Sequence, residues 1–321
     1  MRVSQTSKVN ESIGVVVFAY NEEARIERCL ESVLREAERL NEVRIHVIAN
    51  GCTDRTEAVV QKVARRDPRV SLTVLDVKDK CNAWNHYVHE LADARPVHFF
   101  MDGDVTCGEG SLAAMTQELL AHPSAHAMAG LPLSGRNRSH YETLVRTKGW
   151  LFGNLYAVRR EHLVRLRELA IRLPRGLCGN DHFITRIMSS DLDPTWREDR
   201  LRILWKQGAG YEFRSLQPYR AADIRTYWRR SVTYRLRALQ LAKTYNLSLC
   251  QLPESMDEIN REILTELERD APSILDWRSR AVRNRLRASL GLEAKSGSER
   301  EAKDSCSGRQ LIAALNLGAL I

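Results

Sequence analysis

The run IGVVVFAYNEE, residues 13–23, decides how this 321-residue chain is read. Ile13–Ala19 is continuously apolar and rich in β-branched side chains, the pattern of a strand buried on both faces. Asn21 is then placed to cap a helix, with Glu22 and Glu23 in its first turn, at the positive end of the dipole. Ile26, Leu30, Val33, Leu34 and Ala37 supply that helix with an apolar stripe. Working outward, Arg44–Ala49 reads as a second strand, Asn50-Gly51 as a turn, and Asp54 as the cap of a helix over Arg55–Arg66. Val70–Leu75 is a third strand, Lys80–Ala94 a helix, and Val97–Met101 a fourth strand that stops at Asp102. Strand and helix alternate four times, which predicts a parallel sheet with right-handed crossovers and ligands at the carboxyl ends of the strands.

Beyond about residue 131 the alternation weakens. Tyr156–Arg160, Leu201–Trp205 and Tyr211–Ser215 read as short strands, Ala221–Tyr245 as a long Arg-rich helix, and 253–270 and 273–290 as two more helices. Residues 293–309 are polar and Ser/Gly-rich, a linker composition, and Leu311–Ile321 is an apolar tail too short to span a bilayer. The expected organisation is 1–220 as the main domain (12–130 and 131–220 as its halves), 221–292 as a helical extension, and 293–321 as linker and tail.

Composition excludes several classes. Hydrophobic residues at 43% with 28% charged are ordinary globular values, against disorder or a bulk membrane protein. The start of the chain lacks an apolar signal-type segment, so a cytoplasmic location is expected. Seven scattered cysteines without a C-x-x-C pair indicate reduced thiols rather than a zinc ribbon or disulfide framework. The net charge of +8 is uneven: residues 1–110 hold 15 basic and 18 acidic side chains, and the remainder 34 and 23. A basic second half fits an anionic partner, whether phosphate, nucleic acid or the surface of a membrane.

Four fragments carry candidate chemistry. Asp102-Gly103-Asp104 puts two carboxylates at the end of a buried strand, where they can grip a divalent cation holding a diphosphate. A D-x-D triplet alone is weak, since Asp191-Leu192-Asp193 is a second one; the apolar strand before the first separates them. Tyr20 offers either a ring for base stacking or a core tyrosine. Asn50 offers either a donor–acceptor pair for a base edge or a plain turn. Lys80-Cys81-Asn82-Ala83-Trp84-Asn85 opens a helix whose amide end and lysine suit phosphate or ribose, unless the lysine is simply solvated.

In this order the fragments resemble the inverting glycosyltransferases of family 2, which have the GT-A fold. The family pattern is a strand ending Y-N-E, a D-D/N-G-S/C-x-D turn, K-x-x-A-x-N, and a strand entering D-x-D. Tyr20-Asn21-Glu22, Asn50 through Asp54, Lys80…Ala83…Asn85 and Asp102-Gly103-Asp104 match it, over about residues 12–235. The resemblance implies an α/β fold with a mixed sheet flanked by helices and a helical C-terminal extension. It implies a nucleotide site of Ala19, Tyr20, Glu22, Asn50, Lys80, Asp102 and Gly103, and Mg²⁺ or Mn²⁺ on Asp104 and Asp102. Ala49-Asn50 replaces a common Asp-Asp whose second acid meets uracil; asparagine can still pair with uracil, with a weaker preference for UDP. A downstream E-D pair carries the family's catalytic acid, and Asn180-Asp181 fits it, making Asp181 the candidate general base.

Around Asp181, Asn180, His182 and Trp150 are candidate acceptor or diphosphate contacts, as are Arg229 and Arg230 in a degenerate form of the family's Q/R-x-x-R-W segment. Each has a bland alternative: an N-cap, a surface histidine, a buried aromatic, a solvated helix face. The implied activity is transfer of one sugar, without processivity, from a nucleotide-diphosphate sugar to a hydroxyl-bearing acceptor that is a glycan, lipid-linked or small molecule. A peripheral contact with the inner face of a membrane is compatible with the basic half. A sugar-phosphate nucleotidyltransferase is the enzymatic rival, but its Gly-rich basic loop after strand one is here acidic and glycine-free. A nucleic-acid or anionic-surface binding protein is the non-enzymatic rival; no recognised nucleic-acid module supports it, and no nucleic-acid partner is expected.

Overall fold

The computed structural model describes residues 9–193, 195, 197–217, 219–269 and 276–292. The expected linker and apolar tail lie outside these residues. The apolar runs of the first hundred residues form four parallel strands, β1 (Val9–Ala19), β2 (Leu40–Asn50), β3 (Val70–Leu75) and β4 (Val97–Asp102). β1 lies between β2 and β4, with Phe18 aligned to both Ile48 and Asp102. This register brings Ala19, Asn50 and Asp102 to one rim of the sheet.

Four further strands, β5 (Val105–Cys107), β6 (Ala127–Pro132), β7 (Leu155–Arg159) and β8 (Ile203–Phe213), complete the order β3-β2-β1-β4-β7-β6-β8-β5. β7 runs antiparallel to β4 and β6, and β5 antiparallel to β8, while β6 and β8 are parallel. The sheet is therefore all-parallel from β3 to β4 and mixed beyond it.

Every side chain of β1 from Ile13 to Ala19 is buried, in alternation. Ile13, Val15 and Val17 enter one core with α1 (Ile26–Ala37), α2 (Thr56–Arg66) and α4 (Ser111–Ala121). Val16 and Phe18 enter the opposite core with α3 (Lys80–His86), α5 (Arg138–Lys148), α6 (Arg160–Glu168) and α7 (Asn180–Ser189). Full burial of one such aliphatic side chain contributes roughly 1.5–3 kcal/mol, so both faces of β1 drive the layering. α8 (Ala221–Thr244), α9 (Asp257–Arg269) and α10 (Trp277–Ser289) share a separate apolar cluster around Val232, Leu236, Ile263 and Val282.

Three local expectations are corrected. Asn21 does not cap a helix: it is left-handed at φ 55°, and α1 starts only at Ile26. Its amide is engaged across the rim instead, accepting from Thr53 N–H (2.8 Å) and donating to Thr53 Oγ1 (3.1 Å), so residues 21–25 form a loop and Glu22 is not in a helical turn. The helix expected over Lys80–Ala94 is α only to His86 and continues as a π turn over Tyr87–Leu91. The two short strands expected at 201–215 are one strand, β8. The Gly208-Ala209-Gly210 segment interrupts the apolar pattern but not the strand; a Cβ on Gly210 would lie 1.7 Å from Leu131 O, so only glycine permits that approach.

Candidate functional site at the sheet rim

The carboxyl ends of β1, β2 and β4 meet through backbone and side-chain bonds. Gly103 N–H donates to Phe18 O (2.9 Å), which fixes the turn after β4 against the end of β1. Cys52 Sγ approaches Ala19 O at 3.5 Å. Glu22 N–H donates to Thr56 Oγ1 (2.7 Å), and Asp54, ahead of the N-cap Arg55 rather than the cap the sequence suggests, accepts from Thr56 N–H (2.9 Å). The loop after β1 is thus tied to the start of α2 as well as to its own helix, where Glu22 O accepts from Ile26 N–H (2.9 Å).

That tie leaves the Glu22 side chain facing the D-x-D turn. Arg25 donates to Glu22 at 2.7 Å and reaches Asp104 at 3.9 Å. Burial, with the nearby Asp104 carboxylate, pushes Glu22 up to about 7 against the pull of Arg25. Asp102 is pushed up to about 6 by burial, opposed by Lys80 and reinforced by Asp104 and Asp181. Lys80 forms an ion pair with Asp102. Burial alone would lower the lysine, but Asp102 and Asp181 hold its pKa above the ordinary value, so it stays charged. Asp79 caps α3 through Cys81 and Asn82 N–H and so fixes where Lys80 projects.

Asp181 joins this group from a different element. A Cβ on Gly153 would lie 2.5 Å from Lys80 Nζ, 3.0 Å from Asp181 Oδ1 and 3.6 Å from Asp102 Oδ2. Three charged groups from α3, β4 and α7 therefore converge on one glycine that leaves them room. Asp181 is the second residue of α7, whose entry residue Gly179 is left-handed at φ 77°.

At the end of β2, Asn50 is 3% exposed and its Oδ1 has no hydrogen-bond partner among the described residues. An orphaned buried acceptor costs about 1–3 kcal/mol, a cost that a ligand N–H would remove. Tyr20 is half-buried, and Lys78 Nζ lies 3.8 Å over its ring; a stacked base would take that place. On the other side, Asn180 is buried with Nδ2 unpartnered, and His182 has a buried, unpartnered Nε2. Burial, then Arg186 and Arg237, lower His182 to about 4, so it is neutral and in basic surroundings. Trp150 packs against Phe152 (6.2 Å between ring centres), and Phe152 against Tyr141 (5.1 Å). Arg229 and Arg230 are exposed on α8, and the charge of Arg230 acts on the Tyr141 hydroxyl.

Gly153, Arg25 and the Asn21–Thr53 clasp belong to the rim and were missed in the sequence. A glycine that clears space for charges from three distant segments leaves no periodic signal. Asp102 and Asp104 present hard oxygen donors suited to Mg²⁺ or Mn²⁺. Asp104 is only part-buried, with Arg25 at 3.9 Å as its sole ion pair among the described residues. No third carboxylate, imidazole or thiol converges on them within 4.8 Å among the described residues. Such a site suits an ion whose remaining ligands are phosphate oxygens and water.

The model of the family described as Glycosyl transferase family 2 matches residues 14–189. No curated protein matches the chain significantly. Among solved structures, a mannosyltransferase from Pyrobaculum calidifontis in complex with GDP-Man and Mn²⁺ is 19% identical, with TM-score 0.55, covering 97% of this chain and 80% of its own. That likeness shows the fold, a GT-A arrangement. S. aureus TarS 1–349 in complex with UDP-GlcNAc is 14% identical (TM-score 0.49, 87% and 80% covered). Glucosyl-3-phosphoglycerate synthase from Mycobacterium tuberculosis with phosphoglyceric acid is 19% identical (TM-score 0.48, 76% and 82% covered).

Proposed function

The chain belongs to glycosyl transferase family 2, and on that premise we propose that it is a metal-dependent, inverting, non-processive enzyme. Its donor would be a nucleotide-diphosphate sugar, most simply UDP-linked, and its acceptor a hydroxyl of a glycan, a lipid-linked molecule or a small molecule. The observation that carries the reading is the convergence of Lys80, Asp102 and Asp181 on Gly153. It sets a carboxylate from α7 beside the D-x-D turn, which is the separation of roles that inversion needs.

In this reading Asn50 Oδ1 accepts from a base N–H, and Tyr20 stacks on the base. Glu22, Lys80 and Asp102 reach base or ribose. Asp104, with Asp102, would hold Mg²⁺ or Mn²⁺, which when bound neutralises charge on the leaving diphosphate. Asp181 accepts the proton of the acceptor hydroxyl as that oxygen attacks the anomeric carbon and the bond to the diphosphate breaks on the opposite face. Trp150, Asn180 and His182 lie on the acceptor side, and Arg229 and Arg230 extend it toward an anionic part of the acceptor or the diphosphate. No helix among the described residues is long and apolar enough to cross a membrane. The exposed arginines of α8 fit a peripheral contact with anionic lipid from the cytoplasmic side.

Thermal denaturation with a panel of nucleoside diphosphates and nucleotide sugars tests the proposal, because a ligand of the native state alone raises stability by mass action. A uridine diphosphate should raise Tm more with Mn²⁺ than without, and Asp104→Asn should remove the metal-dependent part. Equal shifts with and without metal would sink the metal role. The absence of any shift with every nucleotide would sink the donor class.

A further inference from the structure

We propose that His126, His162 and Asp191 form a second metal site, for a borderline transition ion such as Zn²⁺, separate from the rim carboxylates. Their ligand atoms all lie within 4.8 Å of one another, and they are the only such group of three among the described residues. The place is remote from the D-x-D turn. β7 pairs with β4 so that Leu155 faces Met101 while Arg159 faces Val97; α6, which follows Arg159 and carries His162, therefore starts at the opposite end of β4 from Asp102.

Hydrogen bonding at His126 and burial at His162 leave one nitrogen of each imidazole open for coordination. A carbonyl can only accept, so the nitrogen facing it carries the ring proton. His126 Nδ1 donates to Met188 O (2.9 Å), which leaves Nε2 as a lone pair. The Ile187 carbonyl lies beside the His162 ring. His162 Nε2 is buried without a hydrogen-bond partner among the described residues and so is open to an ion. The two rings stack at 4.5 Å between centres, 24° from parallel. The Met188 carbonyl at the end of α7 thus fixes the His126 tautomer, the arrangement in which metal-bound histidines are held by their other nitrogen.

The contact between His126 and Asp191 completes the case. His126 Nε2 lies 3.5 Å from Asp191 Oδ1. With the proton on Nδ1 that contact sets a lone pair against a carboxylate, and a cation between them turns repulsion into bonding. Two ligand atoms on one tetrahedral Zn²⁺, each about 2.0–2.1 Å from it, are about 3.3 Å apart. A cavity of about 240 Å³ lined by Pro123, His126, Arg159, Glu161, His162 and Arg165 gives access and room for water as the fourth ligand. Arg165 and Arg202 (3.0 Å) also hold Asp191 and oppose any cation electrostatically. Affinity must therefore come from the imidazoles, which selects Zn²⁺ or Co²⁺ over Mg²⁺. The ion would clip α6 and the start of β6 to the end of α7, the helix that begins with Asp181.

Co²⁺ added to the full-length, chelator-treated protein tests this through its visible d–d absorption. The proposal expects one equivalent with the intense bands of a tetrahedral site, displaced by Zn²⁺ but not by Mg²⁺. The bands should persist in Asp104→Asn and vanish in His126→Gln, with Asp191→Asn as the second variant if His126→Gln does not fold. Failure of the wild-type protein to show such bands would overturn it, as would their loss in Asp104→Asn with retention in His126→Gln or Asp191→Asn.

Discussion

A side chain's worth at the rim depends on the space left for it, and Gly153 sets that space for three charges. Gly153→Ala would bring a methyl to 2.5 Å from Lys80 Nζ, and the flexible lysine can move away more cheaply than the backbone. The expected outcome is a fall of at least tenfold in kcat/KM with a denaturation midpoint near wild type; an unchanged kcat/KM would contradict the placement. His98 makes a second prediction. Burial lowers it to about 4, and its Nδ1 meets the Tyr87 hydroxyl at 2.9 Å. Unfolded histidine takes up a proton near pH 6.5, which folded His98 resists, so its contribution is present above that pH and lost as pH falls from about 6.5 toward 4. The urea midpoint should drop between pH 7 and pH 5 more in wild type than in His98→Asn, and equal drops would refute it. Of these residues the sequence points to Lys80, Asp102 and Asp181, through a family pattern of polar groups at strand ends and helix starts. It could not reveal Gly153 or the neutral state of His98, because both follow from what distant segments bring alongside.

The same division holds for elements. β1 and β4 were legible because strands buried on both faces are written as nearly unbroken apolar runs, β2 and the edge strand β3 from shorter β-branched runs, and α2 from its apolar stripe with Asp54 just ahead of it. The start of α1 was not, because Asn21 and Glu22 carry every local mark of a helix start but are claimed by Thr53 and Thr56 across 32 and 34 residues. β8 reads as two strands because Gly210, which admits the β6 backbone, and Gly208 beside it resemble a break. Thr56→Val tests the cross-rim tie. It removes the acceptor of Glu22 N–H and the hydroxyl donor to Asp54 while keeping the shape. A loss of about 1–2 kcal/mol in urea unfolding is expected, with a rise in KM for the donor larger than the fall in kcat. Unaltered stability and KM would show that the loop is positioned without it.

For the molecule as a whole, two apolar cores on either face of one sheet fix the rim, and the helical C-terminal part joins one of them through Leu241, Leu249, Met256 and Ile259 and through a buried polar link. Gln240 of α8 is fully buried, accepts from Cys178 N–H (2.8 Å), and donates to Gly176 O (3.2 Å) and Asn260 Oδ1 (2.9 Å). It links α8 and α9 to the segment leading into α7. Gln240→Leu leaves those groups unpartnered and should cost about 2–4 kcal/mol, read as a lower urea midpoint, with transfer reduced through a loosened Asp181; a wild-type midpoint would deny the link. The central claim is that Asp181 acts on the acceptor while the D-x-D turn holds the donor. It is tested most directly by single-turnover sugar transfer in Asp181→Asn, alongside donor binding by the same variant. The account predicts donor affinity within a few-fold of wild type and transfer slowed by at least about 10²-fold. Transfer at the wild-type rate with the donor bound would contradict it.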